Sequence, residues 1–341
     1  MKLLGRNIIT SFICKTFVVL QMIFLVSCDG LIYDDLDPCK EGLRLRFVYD
    51  YNMEFANAFH KQVDCLTLLV YDKDGNYIET RTEKAASLLS DENWRMTLDL
   101  PAGTYRLLAY GGMECDDASF AFADKPSAGS MTGDIEVNLN SGELTAPDGN
   151  DLHDLFYGYL EVTVPELAGN YTDATVEMMK DTNRIRIMLQ HIDGSPIHYS
   201  DFGFSLTADN TRMGWDNRII PVGATSYCPW ARGQMTGGVD AVTGAAVEVA
   251  YAEFCTARLM ASTDPRLEVT RVADGGTVMS IPLVSYLLMF KSDHFAAMKN
   301  QEYLDRENTW NVIFFLDRGN NWLRTEIVVN GWRVNINDIG M

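Results

Sequence analysis

Cysteine and histidine are the residues of this 341-residue chain whose type and spacing could support metal or disulfide chemistry. The seven cysteines and five histidines include no Cys-x-x-Cys pair and no Cys/His spacing suited to zinc, so no metal site is predicted. Disulfides form in exported proteins. Cys39 and Cys115 each flank a predicted strand, and we expect these two cysteines to form a disulfide with each other. Cys228 and Cys255 form either a second disulfide or two buried, unpaired thiols.

Cys28 follows a segment with the pattern of an export signal. Lys2, Arg6 and Lys15 make its beginning basic, and a nearly uninterrupted apolar run extends from residue 17 to residue 26. About ten residues is too short to cross a ~30 Å hydrocarbon core, but it matches the apolar region of a signal peptide. The run ends in Leu-Val-Ser-Cys, which resembles the lipobox of bacterial lipoproteins. We therefore expect cleavage before Cys28 and lipidation of its sulfur; the alternative is an ordinary secretory signal that contains a cysteine.

The charge of the chain limits its partners. With 28 Lys+Arg against 47 Asp+Glu, the net charge of −19 argues against nucleic acid and against electrostatic docking to anionic lipid. Loss of residues 1–27, which carry three cations and no acid, would lower the charge to −22. Acyl chains on Cys28 would supply a membrane attachment that needs no basic side chains. The aspartate-rich residues 28–41 are predicted to be a solvated tether.

Motifs that would indicate an enzyme are missing from the sequence. There is no Gly-x-Ser-x-Gly, no His-Glu-x-x-His, no Gly-x-Gly-x-x-Gly and no Walker loop. The search for catalytic machinery therefore gives nothing, and we expect no cofactor. Trp215, Trp230 and Trp322 lie in turn-rich surroundings and would form either a sugar-binding platform or ordinary core and interface contacts.

Alternation of apolar and polar residues is the main structural signal. A period of two predicts strands with one buried and one wet face, as in antiparallel β-sandwiches. The clearest segments are residues 43–51, 94–100, 135–139, 160–164, 185–189, 267–269 and 332–336. Turn sequences such as Asp-Gly and Asn-Gly separate many of them. Residues 165–171 have the composition of a linker, so we place a boundary at residue 168 between an N-terminal β-sandwich domain (42–167) and a C-terminal one (168–341).

Taken in order, several segments resemble one family, the FimB-type anchoring subunits of Bacteroidales fimbriae, which are lipoproteins at the base of type V pili. Each segment is weakly specific alone, and their order across nearly the whole chain is the stronger sign. They are Leu43–Met53, Phe59–Asp72, Trp94–Gly103, Asp154–Gly158, Thr256–Met260, Gln301–Glu307 and Ile327–Trp332.

This resemblance implies an all-β fold with two tandem transthyretin-like antiparallel β-sandwich domains behind a lipidated N-terminus. It also implies a surface-exposed protein of the outer membrane that anchors the fimbrial shaft and limits its length. The expected partner is a fimbrial shaft subunit, and the resemblance implies a protein that is not an enzyme. Asp29, directly after Cys28, departs from the pattern of outer-membrane sorting in enterobacteria, a rule that Bacteroidales do not follow.

Strand addition is the expected means of contact between such subunits, because an open sheet edge accepts an extended segment of a neighbour. The candidate partner elements are Leu43–Tyr51 and Ile327–Ile339, and the alternative for each is a permanently paired strand. The competing function is a surface glycan-binding lipoprotein, which would need the three tryptophans on a concave face.

Overall fold

The computed structural model describes residues 41–140, 142, 151–166, 170–239, 244, 246–289, 291–329 and 332–335. The predicted signal peptide, Cys28, Cys39 and all of the tether up to residue 40 lie outside the described residues. The strands are β1 (Gly42–Val48), β2 (Leu66–Asp72), β3 (Tyr77–Glu83), β4 (Met96–Asp99), β5 (Gly103–Gly111), β6 (Phe120–Phe122), β7 (Glu136–Leu139), β8 (Phe156–Val164), β9 (Tyr171–Lys180), β10 (Thr182–His191), β11 (Phe202–Ala208), β12 (Arg212–Gly214), β13 (Thr225–Tyr227), β14 (Ala231–Val239), β15 (Ala246–Ala257), β16 (Arg266–Arg271), β17 (Thr277–Pro282), β18 (Thr309–Leu316), β19 (Trp322–Val329) and β20 (Trp332–Asn335). The helices are short: α1 (Phe59–Gln62), α2 (Ala86–Leu89), α3 (Leu283–Leu288) and α4 (Asn300–Arg306). Strands dominate, which confirms the all-β prediction.

Seven strands form one sheet, in the order β3-β2-β5-β8-β9-β1-β4, that encloses the first core. β8 and β9 pair over only three residues, from Phe156↔Lys180 to Gly158↔Met178, so the sheet divides there into two layers. Both layers contribute to one apolar cluster, and each fully buried leucine in it stabilises the fold by roughly 1.5–3 kcal/mol. Its completely buried members are Leu43, Leu45, Leu66, Leu68, Val70, Leu98, Leu107, Ala109 and Val176.

A second core joins the two halves of the chain. It is enclosed by a six-stranded sheet (β14-β15-β10-β18-β19-β20), a four-stranded sheet (β13-β11-β16-β17) and a three-stranded sheet (β12-β7-β6). The three-stranded sheet takes β6 and β7 from the N-terminal half and β12 from the C-terminal half, with Met213 opposite Val137. The outer faces of β2 and β5 also pack into this core through Leu69 and Leu108, so the halves share buried surface.

The predicted boundary at residue 168 falls within the seven-stranded sheet. β9 pairs with β1 from Gly42↔Tyr171 to Val48↔Glu177, so this sheet continues to Lys180 and the chain passes to the second core at Asp181. Tyr171, the last residue of the segment interpreted as a linker, already begins β9, and the residues before it join two strands of one sheet instead. The signal was misleading because the first five residues of β9 include no buried side chain, and the strand buries only Val176, Met178 and Lys180.

The predicted antiparallel pairing has two exceptions. β1 pairs with β9 in parallel, and β10 pairs with β18 in parallel from Arg184↔Thr309 to His191↔Leu316. A period of two shows which face of a strand packs against the core. It does not show whether the strand pairs in parallel or antiparallel, because both kinds of pairing have that period.

Candidate functional site

The chain joins the seven-stranded sheet at a glycine that no other residue could replace without strain. Gly42 has φ +147°, and a Cβ built there would lie 1.9 Å from the carbonyl oxygen of Leu98 on the neighbouring strand β4. One residue earlier, the carbonyl of Glu41 accepts a hydrogen bond of 3.3 Å from the amide of Leu100. The end of the predicted tether is therefore fixed against β4 before β1 begins.

β1 is held on both sides, which contradicts its proposed role as an open partner strand. It pairs with β4 over Gly42–Leu45 and with β9 over its whole length. On the outer face, Arg44 forms a two-pronged ion pair with Asp173 of β9, with an Nη2–Oδ2 distance of 2.7 Å. The hydrogen bond from Arg44 lowers the pKa of the Asp173 carboxyl. Within Leu43–Tyr51, the strand β1 is thus permanently paired. Its inward side chains also form part of the first core, so it is not free to pair with another subunit.

The C-terminal candidate, in contrast, lies at a sheet edge. Among the described residues β20 pairs only with β19, in a regular antiparallel register from Val329↔Trp332 to Glu326↔Asn335. It is the last strand in the order of the six-stranded sheet. Residues 330, 331 and 336–339 of the predicted segment lie outside the described residues.

Two long edge strands elsewhere have features that hinder strand addition. β14, at the other edge of the six-stranded sheet, has a register shift between Thr236 and Gly238 that indicates a bulge. β3 carries Glu79 and Arg81, and these two charges form an ion pair with an N–O distance of 2.9 Å. Bulges and charged side chains are usual protections of sheet edges. β20, the edge that lies in the C-terminal candidate, shows no such register shift in its pairing with β19.

A polar network connects the end of β9 to the beginning of β10. Lys180 Nζ donates to Asp154 Oδ2 at 2.7 Å, and Thr182 Oγ1 donates to Asp154 Oδ1 at 2.8 Å. Arg184 reaches Asp151 at 2.8 Å. These contacts fix the direction in which the chain leaves the first sheet.

Asp181, between those strands, is fully buried. Its Oδ1 accepts a hydrogen bond of 2.9 Å from Asn217 and lies 3.9 Å from Nε of Arg258. Arg258 is engaged more closely by Asp305, through two hydrogen bonds of 2.9 and 2.8 Å. Burial raises the pKa of Asp181 to about 7, although Arg258 and Asn217 oppose the shift. The junction therefore contains one carboxyl that titrates near neutral pH.

A second contact ties the turn after β1 to the C-terminal half. The guanidinium of Arg306 lies 4.0 Å from the ring centroid of Tyr51 and 4.7 Å from that of Phe55. Beside it, Asn308 Nδ2 donates to the hydroxyl of Tyr49 at 2.9 Å. The strand that follows the tether is thereby connected to α4 and β18.

The disulfide prediction was wrong in its partner. Cys115 bonds to Cys65, with a Cα–Cα distance of 6.1 Å, whereas Cys39 lies outside the described residues. Cys228 and Cys255 are unpaired, so the second candidate disulfide does not form. Burial raises the pKa of Cys255 to about 12, which makes it an inert core thiol. The overlooked signal was Cys65 itself, directly before the strongly apolar β2.

The three tryptophans do not form an exposed platform. All of them are half-buried against the second core. Trp215 packs on Tyr159 with ring centroids 6.0 Å apart, while Trp322 packs on Phe314 at 5.9 Å. These are ordinary core and interface contacts. In the described part of the chain, no helix has the length and apolar character needed to cross a membrane.

Comparison with known proteins gives one family. A family model described as fimbrillin-A associated anchor proteins Mfa1 and Mfa2 matches residues 36–338. The minor fimbrium anchoring subunit Mfa2 of Porphyromonas gingivalis is 21% identical over 322 residues, covering 92% of both chains.

Solved structures agree with this match. A protein of Bacteroides thetaiotaomicron described as an adhesin has a TM-score of 0.83 and 48% identity, over 89% of this chain and 100% of its own. A second protein of that organism, described as polysaccharide binding, has a TM-score of 0.73 and 32% identity, over 87% of this chain and 98% of its own. The fimbrial anchor protein Mfa2 from P. gingivalis shares the fold, with a TM-score of 0.63 and 16% identity over 86% of this chain and 99% of its own.

The matched family consists of structural fimbrial subunits, which confirms that this protein is not an enzyme. The resemblance expected from the ordered segments is confirmed by a match that spans most of the sequence. The chain belongs to the family of fimbrillin-A associated anchor proteins Mfa1 and Mfa2.

Proposed function

We propose that this protein is a lipid-anchored subunit that attaches a fimbrial shaft to the outer membrane and limits the length of the shaft. Family membership supports a fimbrial anchor role at the cell surface. The sequence around Cys28 supports attachment through lipid on that residue. The observation that carries the proposed contact with a shaft subunit is the regular, one-sided pairing of β20 at the edge of the six-stranded sheet.

Strand addition at β20 would explain both attachment and limitation of length. An extended segment of the shaft subunit would pair with the free side of β20 through main-chain hydrogen bonds, and pockets for alternate side chains would give specificity. Among the described strands, the other edge of the same sheet is the bulged strand β14. Once β20 is occupied, the described part of this sheet offers no second regular edge, so the subunit would terminate the shaft.

Truncation tests the site of contact. A chain that ends at Gly331 lacks β20, and we expect it to reach the membrane but to release fimbriae into the medium. A matched control that ends at Asn335 keeps β20 and should retain them. Fimbriae that remain attached at normal length on the shorter chain would eliminate β20 as the contact.

Substitution of the lipidated residue tests the anchor. Cys28→Ala should shift the protein and its fimbriae from the membrane fraction to the medium, as measured by fractionation and immunoblotting. Cys14→Ala, within the predicted signal peptide, is the matched control and should leave both cell-bound. Fimbriae that stay on Cys28→Ala cells would contradict the proposal.

A surface glycan-binding lipoprotein is the second candidate. It is favoured by the description of one similar solved structure as polysaccharide binding. The half-buried placement of Trp215, Trp230 and Trp322 counts against an aromatic sugar platform. Binding of the purified protein to immobilised polysaccharides, unchanged by truncation at Gly331, would favour this candidate over the anchor.

A further inference from the structure

Two cysteines, a histidine and an aspartate meet at a corner of the first sheet, away from its edges. Cys65 directly precedes β2, Cys115 lies in the loop after β5, and His153 lies shortly before β8. The side-chain donor atoms of Asp64, Cys65, Cys115 and His153 all lie within 4.8 Å of one another. Thiolate, imidazole and carboxylate are the ligands that Zn²⁺ takes in proteins.

The distances at this corner are close to those of a tetrahedral zinc site. His153 Nε2 lies 3.1 Å from Asp64 Oδ1 and 3.9 Å from Cys115 Sγ. Zinc bonds of about 2.3 Å to sulfur and about 2.0 Å to nitrogen or oxygen place neighbouring ligand atoms about 3.3–3.8 Å apart. Since no two of these atoms are more than 4.8 Å apart, shifts of up to about 1 Å would bring them to ligand positions, apart from the two bonded sulfurs, which must first separate.

The histidine already has the support that zinc-bound histidines usually have. Its second ring nitrogen, Nδ1, lies 3.2 Å from Oδ1 of Asp117, and its side chain is only 13% exposed. Its backbone amide donates to Oγ of Ser119 at 2.9 Å. A carboxylate on the far nitrogen fixes ring orientation and makes the other nitrogen a better ligand. Nε2 is thereby directed towards Asp64 and Cys115.

The backbone holds this corner together independently of the disulfide. Gly112 has φ +81°, and a Cβ there would lie 1.9 Å from the carbonyl oxygen of Asp154 and 3.1 Å from the ring of His153. The amide of Gly112 also donates to the carbonyl of Cys65 at 3.1 Å. The loop that carries Cys115 is therefore packed against the other two segments, and the ligands would remain near one another after reduction.

We propose that Asp64, Cys65, Cys115 and His153 bind one Zn²⁺ ion when the Cys65–Cys115 disulfide is reduced. Two small thiols would supply two electrons and two protons and would leave as their own disulfide, which converts the bridge into two Cys thiols. Zinc binding then displaces both thiol protons into solvent and leaves two thiolates on the metal. Asp64 and His153 line an open cleft of about 570 Å³ through which a cation can reach the site, with the carboxylates of Asp116 and Asp117 in the same wall. The corner would be closed by sulfur–sulfur bonding under oxidising conditions and by zinc under reducing ones.

Metal competition on the reduced full chain tests this proposal. The protein in detergent is reduced with a phosphine, freed of reductant without oxygen and titrated with Zn²⁺ against a chromophoric chelator. We expect one tight site in the reduced protein and none in the oxidised protein. Equal binding by the two forms, or no tight site in either, would overturn the proposal.

Variants that keep both cysteines assign the ligands. His153→Gln should weaken zinc binding at least 100-fold, and Asp117→Asn should weaken it about 10- to 100-fold, the usual cost of losing a supporting carboxylate. Cys228→Ser is the matched control and should bind as the wild type does. Zinc should also raise the melting temperature of the reduced wild type but not of His153→Gln. Binding by His153→Gln within threefold of wild type would exclude this site.

Discussion

β1 and β20 are the two strands nearest to the proposed attachment points, and they are held in opposite ways. β1 has a neighbour on each side, an ion pair across to β9 and fully buried inward leucines. β20 has one neighbour among the described strands and four paired residues. The difference separates two tasks: a strand that follows a tether must stay in place, whereas a strand that receives a partner must leave one side free.

Loosening β1 at Gly42 should have the largest effect on stability. Gly42→Val places side-chain atoms against the carbonyl of Leu98 and requires a backbone angle that valine avoids. We expect the free energy of unfolding to fall by about 5 kcal/mol, at the upper end for single substitutions. Chemical denaturation measures this. Gly133→Ala, where a Cβ meets nothing within 4 Å, should change stability little; similar losses in both variants would contradict the role of Gly42.

The buried carboxyl between the halves should make stability depend on pH. The pKa of Asp181 is about 7 in the folded protein against an ordinary value of 3.8, so the folded state binds more protons between those values. Its contribution is therefore complete below pH 3.8 and is lost as pH rises through 7, by as much as about 4 kcal/mol.

Asp181→Asn tests that dependence, because it removes the titrating group and keeps an acceptor for Asn217. Between about pH 5 and pH 8, the range that brackets the folded-state pKa, the variant should lose less stability than the wild type. The charged groups around the site, Arg258 and Asp305, are unchanged in both proteins. Parallel pH profiles would show that another group is responsible.

Removing Arg306 should weaken the connection between β1 and the C-terminal half more modestly. Arg306→Ala loses the stacking on Tyr51 and Phe55, and we expect a loss of about 1–2 kcal/mol in unfolding free energy. Arg306→Lys, which keeps a cation but not the planar group, should lie between wild type and alanine. An alanine variant as stable as wild type would mean that this stacking does not help to hold the two halves together.

The exposed ion pair on β1 should matter least. Arg44→Gln removes the partner of Asp173, yet both side chains are about half or more exposed to solvent, at 49% and 66%. We expect no measurable change in denaturation midpoint at physiological salt, because solvent screens such pairs. A clear loss would show that the ion pair, and not the backbone pairing, keeps β1 in place.

The sequence predicted the strands well and their arrangement poorly, for physical reasons. Alternation in Leu43–Tyr49 or Ile185–Leu189 reports which side chains meet a core, and those side chains are buried. The assignment of β9 to the first sheet depends on backbone pairing with β1, far away along the chain, as the separation of 129 between Arg44 and Asp173 shows. The alternation of residues along one segment gives no information about which distant strand pairs with it.

The cluster of Asp64, Cys65, Cys115 and His153 could not be predicted from the sequence for the same reason. Local metal motifs place ligands within a few residues, whereas Asp64 and His153 are 89 positions apart and the bonded cysteines are 50 apart. The choice of Cys39 as the partner of Cys115 considered only proximity to predicted strands. Pairing of β2 with β5, which brings Leu66 opposite Gly111, is what places Cys65 beside the loop of Cys115.

The parallel pairing of β1 with β9 has a mechanical consequence under the proposed attachment to lipid at one end and to a shaft subunit at the other. A pull on the tether acts at the first residue of β1, while a pull from the C-terminal half acts on the last residue of β9, at the opposite end of the ladder. Such forces shear the two strands, so the paired residues from Gly42 to Val48 resist together instead of opening one after another. The parallel pair β10–β18 repeats this geometry along the path towards β20. Tension between the membrane and the shaft would therefore act along the strands. In that direction all the backbone hydrogen bonds of a pair carry the load together and are hardest to break.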